Sequence, residues 1–145
     1  MQTGRRLAFD VGQVRTGVAV SSTDGIFSSP LGVITTPEEV AQLIAEYEPV
    51  ALYVGLPLSL SGKHTASTDF AIKFAQSLTQ HELPIFMVDE RLTTTTAASL
   101  LRSAGKNAKQ AKGSIDAAAA TLILEQALNM ERNGNRPGIA LEDLH

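Results

Sequence analysis

The chain has no cysteine and no tryptophan, and only five phenylalanines and two tyrosines among its 145 residues. Without cysteine there is no disulfide staple, no thiolate nucleophile and no cysteine zinc site. Any bound metal must then be held by carboxylates or histidines, which favours hard cations. The few aromatics leave no broad stacking surface, which weighs against a purely non-catalytic RNA-binding or ribosome-assembly role. No apolar run approaches the roughly 18 residues of a membrane span. The opening Met1-Gln2-Thr3-Gly4-Arg5-Arg6 leads straight into strand-like sequence instead of a signal-peptide core. A cytoplasmic protein without membrane partners is expected. A net charge of -3 also has the wrong sign for coating nucleic acid by bulk charge.

What is present reads as an ordinary globular chain, 43% hydrophobic and 19% charged, at the usual size of one domain. Residues 5–11 and 15–21 are β-prone runs separated by Gly12-Gln13-Val14, a hairpin pattern, and Leu31 to Thr35 extends the meander. Thr36-Pro37-Glu38-Glu39 opens a helix with a capping residue and an early proline, and Pro49 stops it. Ala51 to Leu56 is apolar throughout, as a strand covered on both faces must be. A helix follows over about 68–80. A second covered strand, Ile85 to Val88, ends at Asp89-Glu90. Thr93 to Ala104 reads as a helix capped by Gly105, and the last helix spans Ser114 to about Arg132. This order predicts an α/β domain over residues 1–132, with a mixed five-stranded sheet: three antiparallel strands, then β-α-β crossovers with helices on both faces. Residues 133–145, with Gly134, Pro137 and Gly138, read as a flexible tail.

Three carboxylates sit where a carboxylate needs a reason. Asp10 lies inside the apolar strand Leu7 to Val11, where an unpaired charge costs several kcal/mol (roughly) to bury. Either it closes an Asx turn near Gly12, or it ligates a metal while Gly12 leaves room for the ligand to approach. Glu90 ends a covered strand, and carboxyl ends of such strands face the ligand crevice of open α/β sheets. Its neighbour Asp89 could instead cap a helix, and alternation along a strand sends the two side chains in different directions. Asp116 heads a helical stripe with Ala120, Ile123, Ala127 and Met130, so it faces the sheet, although an acid near a helix start also gains from the helix dipole. Three inward acids repel one another unless cations sit among them. Together Asp10, Glu90 and Asp116 suit Mg²⁺ or Mn²⁺, and two such ions assist in-line displacement at phosphorus. Phosphodiester hydrolysis is the chemistry this set fits.

From Arg91 to Lys112 the chain carries five basic residues (Arg91, Arg102, Lys106, Lys109 and Lys112) and no acid. A solvated face would explain such a run. Its position between two candidate catalytic acids instead suggests that Arg91, Lys106, Lys109 and Lys112, with Gly12, meet substrate phosphates.

Four ordered motifs carry a resemblance over roughly residues 5–131. They are Asp10-Val11-Gly12 with Gly17 to Ser21, Val54 to Leu58 with Gly62, Asp89 to Thr94, and Lys112 to Asp116 followed by Ala118-Ala119. With them the chain resembles the YqgF/RuvX family. The resemblance implies a ribonuclease-H-like fold related to the resolvase RuvC, and a bacterial nuclease that matures the 5′ end of pre-16S ribosomal RNA or resolves Holliday junctions. It also implies that the metal-binding acids are Asp10, Glu90 and Asp116. The central strand ends Val54-Gly55-Leu56-Pro57, without the acid that resolvases of this superfamily usually carry there, so the second acid must come from Glu90. Precursor rRNA or branched DNA are the expected partners, with ribosomal particles beside them. No segment announces a dimer interface, and a monomer or weak dimer is expected. A phosphate-binding module of the actin and Hsp70 superfold shares the Asp-x-Gly hairpin, but those proteins clamp ATP between two such domains and this chain supplies one.

Overall fold

A computed structural model describes residues 2–90 and 108–144, with side chains from residue 115 onward in the second stretch. The strands are β1 (Arg6–Val11), β2 (Thr16–Ser21), β3 (Ser28–Ile34), β4 (Ala51–Leu56), β5 (Ile85–Asp89) and β6 (Ile139–Ala140). The helices are α1 (Val40–Tyr47), α2 (Ala66–Ser77) and α3 (Ala108–Arg132). One six-stranded sheet has the order β3-β2-β1-β4-β5-β6. β1, β2 and β3 pair antiparallel, whereas β1, β4 and β5 run parallel through the centre.

Period-two alternation along the central strands sorts the core into two layers. Leu7, Phe9, Leu52, Val54 and Met87 belong to one, with Val40 of α1 and Ala71, Phe74 and Ala75 of α2. Ala8, Ala19, Tyr53 and Val88 belong to the other, against Ala120, Ile123, Leu124, Ala127 and Leu128 of α3. Helices therefore cover both faces, as the covered-strand pattern predicts. At the far end of α3, Glu131 ties helix to sheet: it accepts from buried Arg6 at 3.0 Å and from the Tyr53 hydroxyl.

The helix starts differ from the sequence reading in small ways with local causes. Before α1 the chain makes a 3-10 turn over Pro37–Glu39, and the Glu39 carboxylate accepts the N–H groups of Thr35 at 2.7 Å and Thr36 at 2.9 Å. Thr65 caps α2, which begins two residues ahead of the expected 68.

Two elements depart further. α3 is already helical at Ala108, where the sequence placed its start at Ser114. The alanines, lysines and glutamine of residues 108–112 are strong helix formers, and together they outweigh the roughly 1 kcal/mol that Gly113 costs inside a helix. The sheet has six strands where five were expected, because residues 139–140 pair antiparallel with β5. Gly138 permits that approach: a Cβ there would lie 2.3 Å from the Met87 carbonyl oxygen. The predicted helix Thr93 to Ala104 and its Gly105 cap lie outside the described residues.

Candidate active site

Asp10 lies near the carboxyl end of β1, two residues beyond buried Ala8, and so shares the sheet face that α3 covers. Its register partner on β2 is Gly17. A Cβ on Gly17 would fall 2.0 Å from the backbone oxygen of Asp116 and 2.9 Å from the amide nitrogen of Ala117. Only a residue without a side chain lets α3 come down here, and that descent delivers Asp116 to the neighbourhood of Asp10.

Gly55 of β4 plays the matching role on the other side. It stands one step past the Phe9–Val54 pair of β1 and β4, and its neighbour on β5 is Val88. A Cβ at Gly55 would meet Glu90 Oε1 at 2.3 Å and Ile123 Cδ1 at 2.6 Å. The Glu90 carboxylate thus occupies the space over Gly55 and reaches from β5, two strands from β1, to hydrogen-bond Asp10. The missing acid at the end of β4 is explained by the same contact. A side chain there would fill the space through which Glu90 approaches.

Glu90 is the protonated partner of this pair and donates to the Asp10 carboxylate. Burial, then the hydrogen bond and the negative charge of Asp10, with that of Asp89 adding to them, push the Glu90 carboxyl up to about 9. Asp10 is also raised: burial dominates, the bond from Glu90 partly offsets it, and the charge of Asp116 adds to the rise. Two half-buried carboxyls that share one proton, with a third acid within electrostatic reach, form a site short of positive charge. Its donors are hard oxygens, the type that Mg²⁺ and Mn²⁺ prefer.

Asp116 is engaged elsewhere, since its Oδ2 receives Arg15 Nε at 2.9 Å. Among the described residues no three acids or histidines stand close enough to enclose an ion as they are. Arg15, from the turn between β1 and β2, was missed in the sequence reading. The signal available for it was a lone cation two residues before Gly17.

Gly12, expected to leave room for a ligand, has its space taken by the Arg15 carbonyl oxygen, 2.5 Å from where a Cβ would sit. It lines a neighbouring cavity instead. Asp89 follows Met87 in alternation, and Glu90 follows Val88, which separates the two acids as expected. Arg91, Arg102 and Lys106 lie outside the described residues. Lys109 and Lys112 lie in α3, within the stretch described by backbone alone.

Comparison with known proteins agrees with this architecture. A model of the RuvX family, described as Holliday junction resolvase, matches residues 4–130. A protein of Leifsonia xyli named "Putative pre-16S rRNA nuclease" is 44% identical over 144 residues, covering 94% of this chain and 93% of that protein. A Streptomyces coelicolor protein of the same name is 42% identical, with 94% and 87% covered. Among solved structures, Thermus thermophilus RuvC aligns with a TM-score of 0.59 at 16% identity, over 90% of this chain and 97% of that one. That likeness shows the fold.

Proposed function

The chain belongs to the RuvX family, and from that membership and the carboxylate cluster we infer that it is a divalent-metal-dependent nuclease that hydrolyses phosphodiester bonds. One observation carries the reading. Acids from β1, the end of β5 and α3 come together at the carboxyl end of the central strands, where Glu90 hydrogen-bonds Asp10 and both carboxyls are raised. The nuclease unit in this reading is residues 1–132, with Ile139–Ala140 adding the edge strand of its sheet.

Asp10, Glu90 and Asp116 would hold the metal, Mg²⁺ or Mn²⁺. Bound there, such ions supply Lewis-acid charge at the attacking and leaving oxygens of an in-line displacement. The chain's own part is to bind and to orient. Glu90 gives up its proton to become a ligand, Asp116 leaves Arg15, and the guanidinium so released is free to meet a substrate phosphate. Glycines 17 and 55 keep the helix backbone and the Glu90 side chain at the distances the cluster needs. Arg91, Lys106, Lys109 and Lys112 are assigned to flanking phosphates.

Precursor 16S ribosomal RNA is the substrate we place first, with ribosomal particles as its setting and the cytoplasm as its place. The relatives bearing that name align along nearly the whole chain at over 40% identity, whereas the likeness to RuvC is one of fold. The family's description nonetheless keeps a four-way DNA junction as the second substrate. Among the described residues no helix is long and apolar enough to cross a membrane. Cleavage of a transcript spanning the 5′ end of 16S rRNA, beside a four-way junction, in Mg²⁺ and in Mn²⁺, separates the two. Faster cutting of the transcript is expected, and cutting of the junction alone would reverse the order.

A further inference from the structure

At the carboxyl end of β1, on the face away from α3, lies a cavity of about 240 Å³ whose walls include Val11, Gly12, Thr36, Phe70, Lys73 and Phe74. Val11 and Gly12 directly follow Asp10, so the cavity begins one or two residues from a proposed metal ligand, at about 3.8 Å of chain per residue. It is smaller than the roughly 300–1,000 Å³ of pockets for drug-sized ligands, and suits one flat ring system instead of a whole nucleotide cofactor.

Its lining separates an anchored ring from an available one. Phe74 is buried and tilts against Phe9 with ring centroids 5.4 Å apart, whereas Phe70, one helical turn earlier on α2, is 47% exposed. Lys73 follows Phe70 by three residues, on the same side of the helix, and makes no ion pair among the described residues. The opposite rim is pinned, because Glu39 holds the amides of Thr35 and Thr36. A preformed apolar slot with one exposed aromatic face and one cation, at the same end of β1 as the acids but across the sheet from them, fits a nucleotide of a strand that passes over that end. An apolar peptide side chain would leave the ammonium without a counter-charge.

We propose that this cavity is a base-binding subsite, in which an unpaired nucleobase of the strand being cut stacks on Phe70 while Lys73 meets an adjacent phosphate. The proposal rests on the nuclease reading and narrows it. The substrate must have a single-stranded stretch beside the scissile phosphate, since a paired base enters such a slot only at the cost of unstacking.

The test measures affinity by fluorescence anisotropy, with the full chain in Ca²⁺, for a labelled 12-nucleotide single-stranded RNA and for the blunt duplex of the same sequence. Base–aromatic stacking predicts that Phe70→Ala weakens single-strand binding roughly 5- to 150-fold. Duplex binding should stay within about twofold, and Phe70→Trp should keep the wild-type single-strand affinity. Lys73→Gln should lower the salt slope for the single strand by about 0.7. Unchanged single-strand affinity in Phe70→Ala, or an equal loss on the duplex, overturns the subsite. A parallel cleavage assay in Mg²⁺ separates the two levels. If the wild type cuts RNA while Phe70→Ala binds it as tightly as the wild type, the subsite alone falls. If the wild type neither binds nor cuts RNA or DNA, the nuclease reading falls and takes the subsite with it.

Discussion

Arg15 Nε and Asp116 Oδ2 meet at 2.9 Å, joining the β1–β2 turn to α3 directly above Gly17. Both side chains are about a third exposed, so the pair contributes only about 0–1 kcal/mol to stability. Its consequence is competition: the guanidinium occupies a carboxylate oxygen that a metal would use. Arg15→Ala should leave the urea midpoint almost unchanged, tighten Mn²⁺ binding measured by calorimetry without nucleic acid, and weaken binding of the nucleic acid itself. Weaker Mn²⁺ binding in this variant would mean that Arg15 orients Asp116 for the metal instead of competing with it.

The shared proton of Asp10 and Glu90 makes metal-free stability depend on pH. Between the ordinary glutamate value of 4.5 and the Glu90 value of about 9, the folded protein holds more protons than the unfolded chain. Stability then falls as pH rises. The contribution is complete below about 4.5 and gone above about 9. Melting temperatures in EDTA should decline across that window, and Glu90→Gln should flatten the decline. Mn²⁺ should bind more tightly at higher pH and release protons, which calorimetry in buffers of different ionisation heat detects. A wild-type profile as flat as that of the variant would contradict the shared proton.

Gly17→Ala places a methyl group 2.0 Å from a backbone oxygen of α3, where no side-chain rotation can relieve the clash. The helix must lift, at a cost of about 1–3 kcal/mol. Metal affinity should fall with it, because Asp116 moves away from Asp10. Urea denaturation and Mn²⁺ titration check the two effects together, and a stability loss with undiminished metal affinity would separate Asp116 from the site.

Much of this arrangement was legible in the sequence, for reasons that particular residues make plain. Asp10 stood out because a charge inside Leu7 to Val11 needs compensation, and Glu90 because Ile85 to Val88 could only be a covered strand. What stayed hidden depends on contacts between distant segments. That Gly55 is empty space for Glu90 follows from the register of β4 on β5, which no local pattern states. The partnership of Arg15 with Asp116 requires knowing that α3 crosses Gly17. The two-residue strand Ile139–Ala140 is too short to announce itself, and the helical turns of α3 ahead of Ser114 lay concealed because Gly113 is a poor helix former.

Neighbouring acids should differ in consequence. Glu90 lies over Gly55 toward Asp10, whereas Asp89 follows the alternation of the opposite face, and its charge helps to raise the Glu90 carboxyl. Glu90→Gln should lower single-turnover cleavage by more than about a hundredfold, beyond the 10–100-fold typical of changes to the outer partners of metal ligands. Asp89→Asn should cost less than about tenfold by the same comparison, with the pH–rate profile moved toward lower pH. Reversed severities would assign the metal to Asp89.

The central claim is that Asp10 is a metal ligand of a nuclease, and Asp10→Asn tests it most directly because the substitution removes the charge with little change of shape. Single-turnover cleavage of the 16S precursor transcript in Mg²⁺ should fall by more than about a hundredfold. The metal-free variant should melt at or above the wild-type temperature, since a desolvated carboxylate facing the charge of Asp116 has been removed. A folded Asp10→Asn protein that cuts at the wild-type rate would contradict the account.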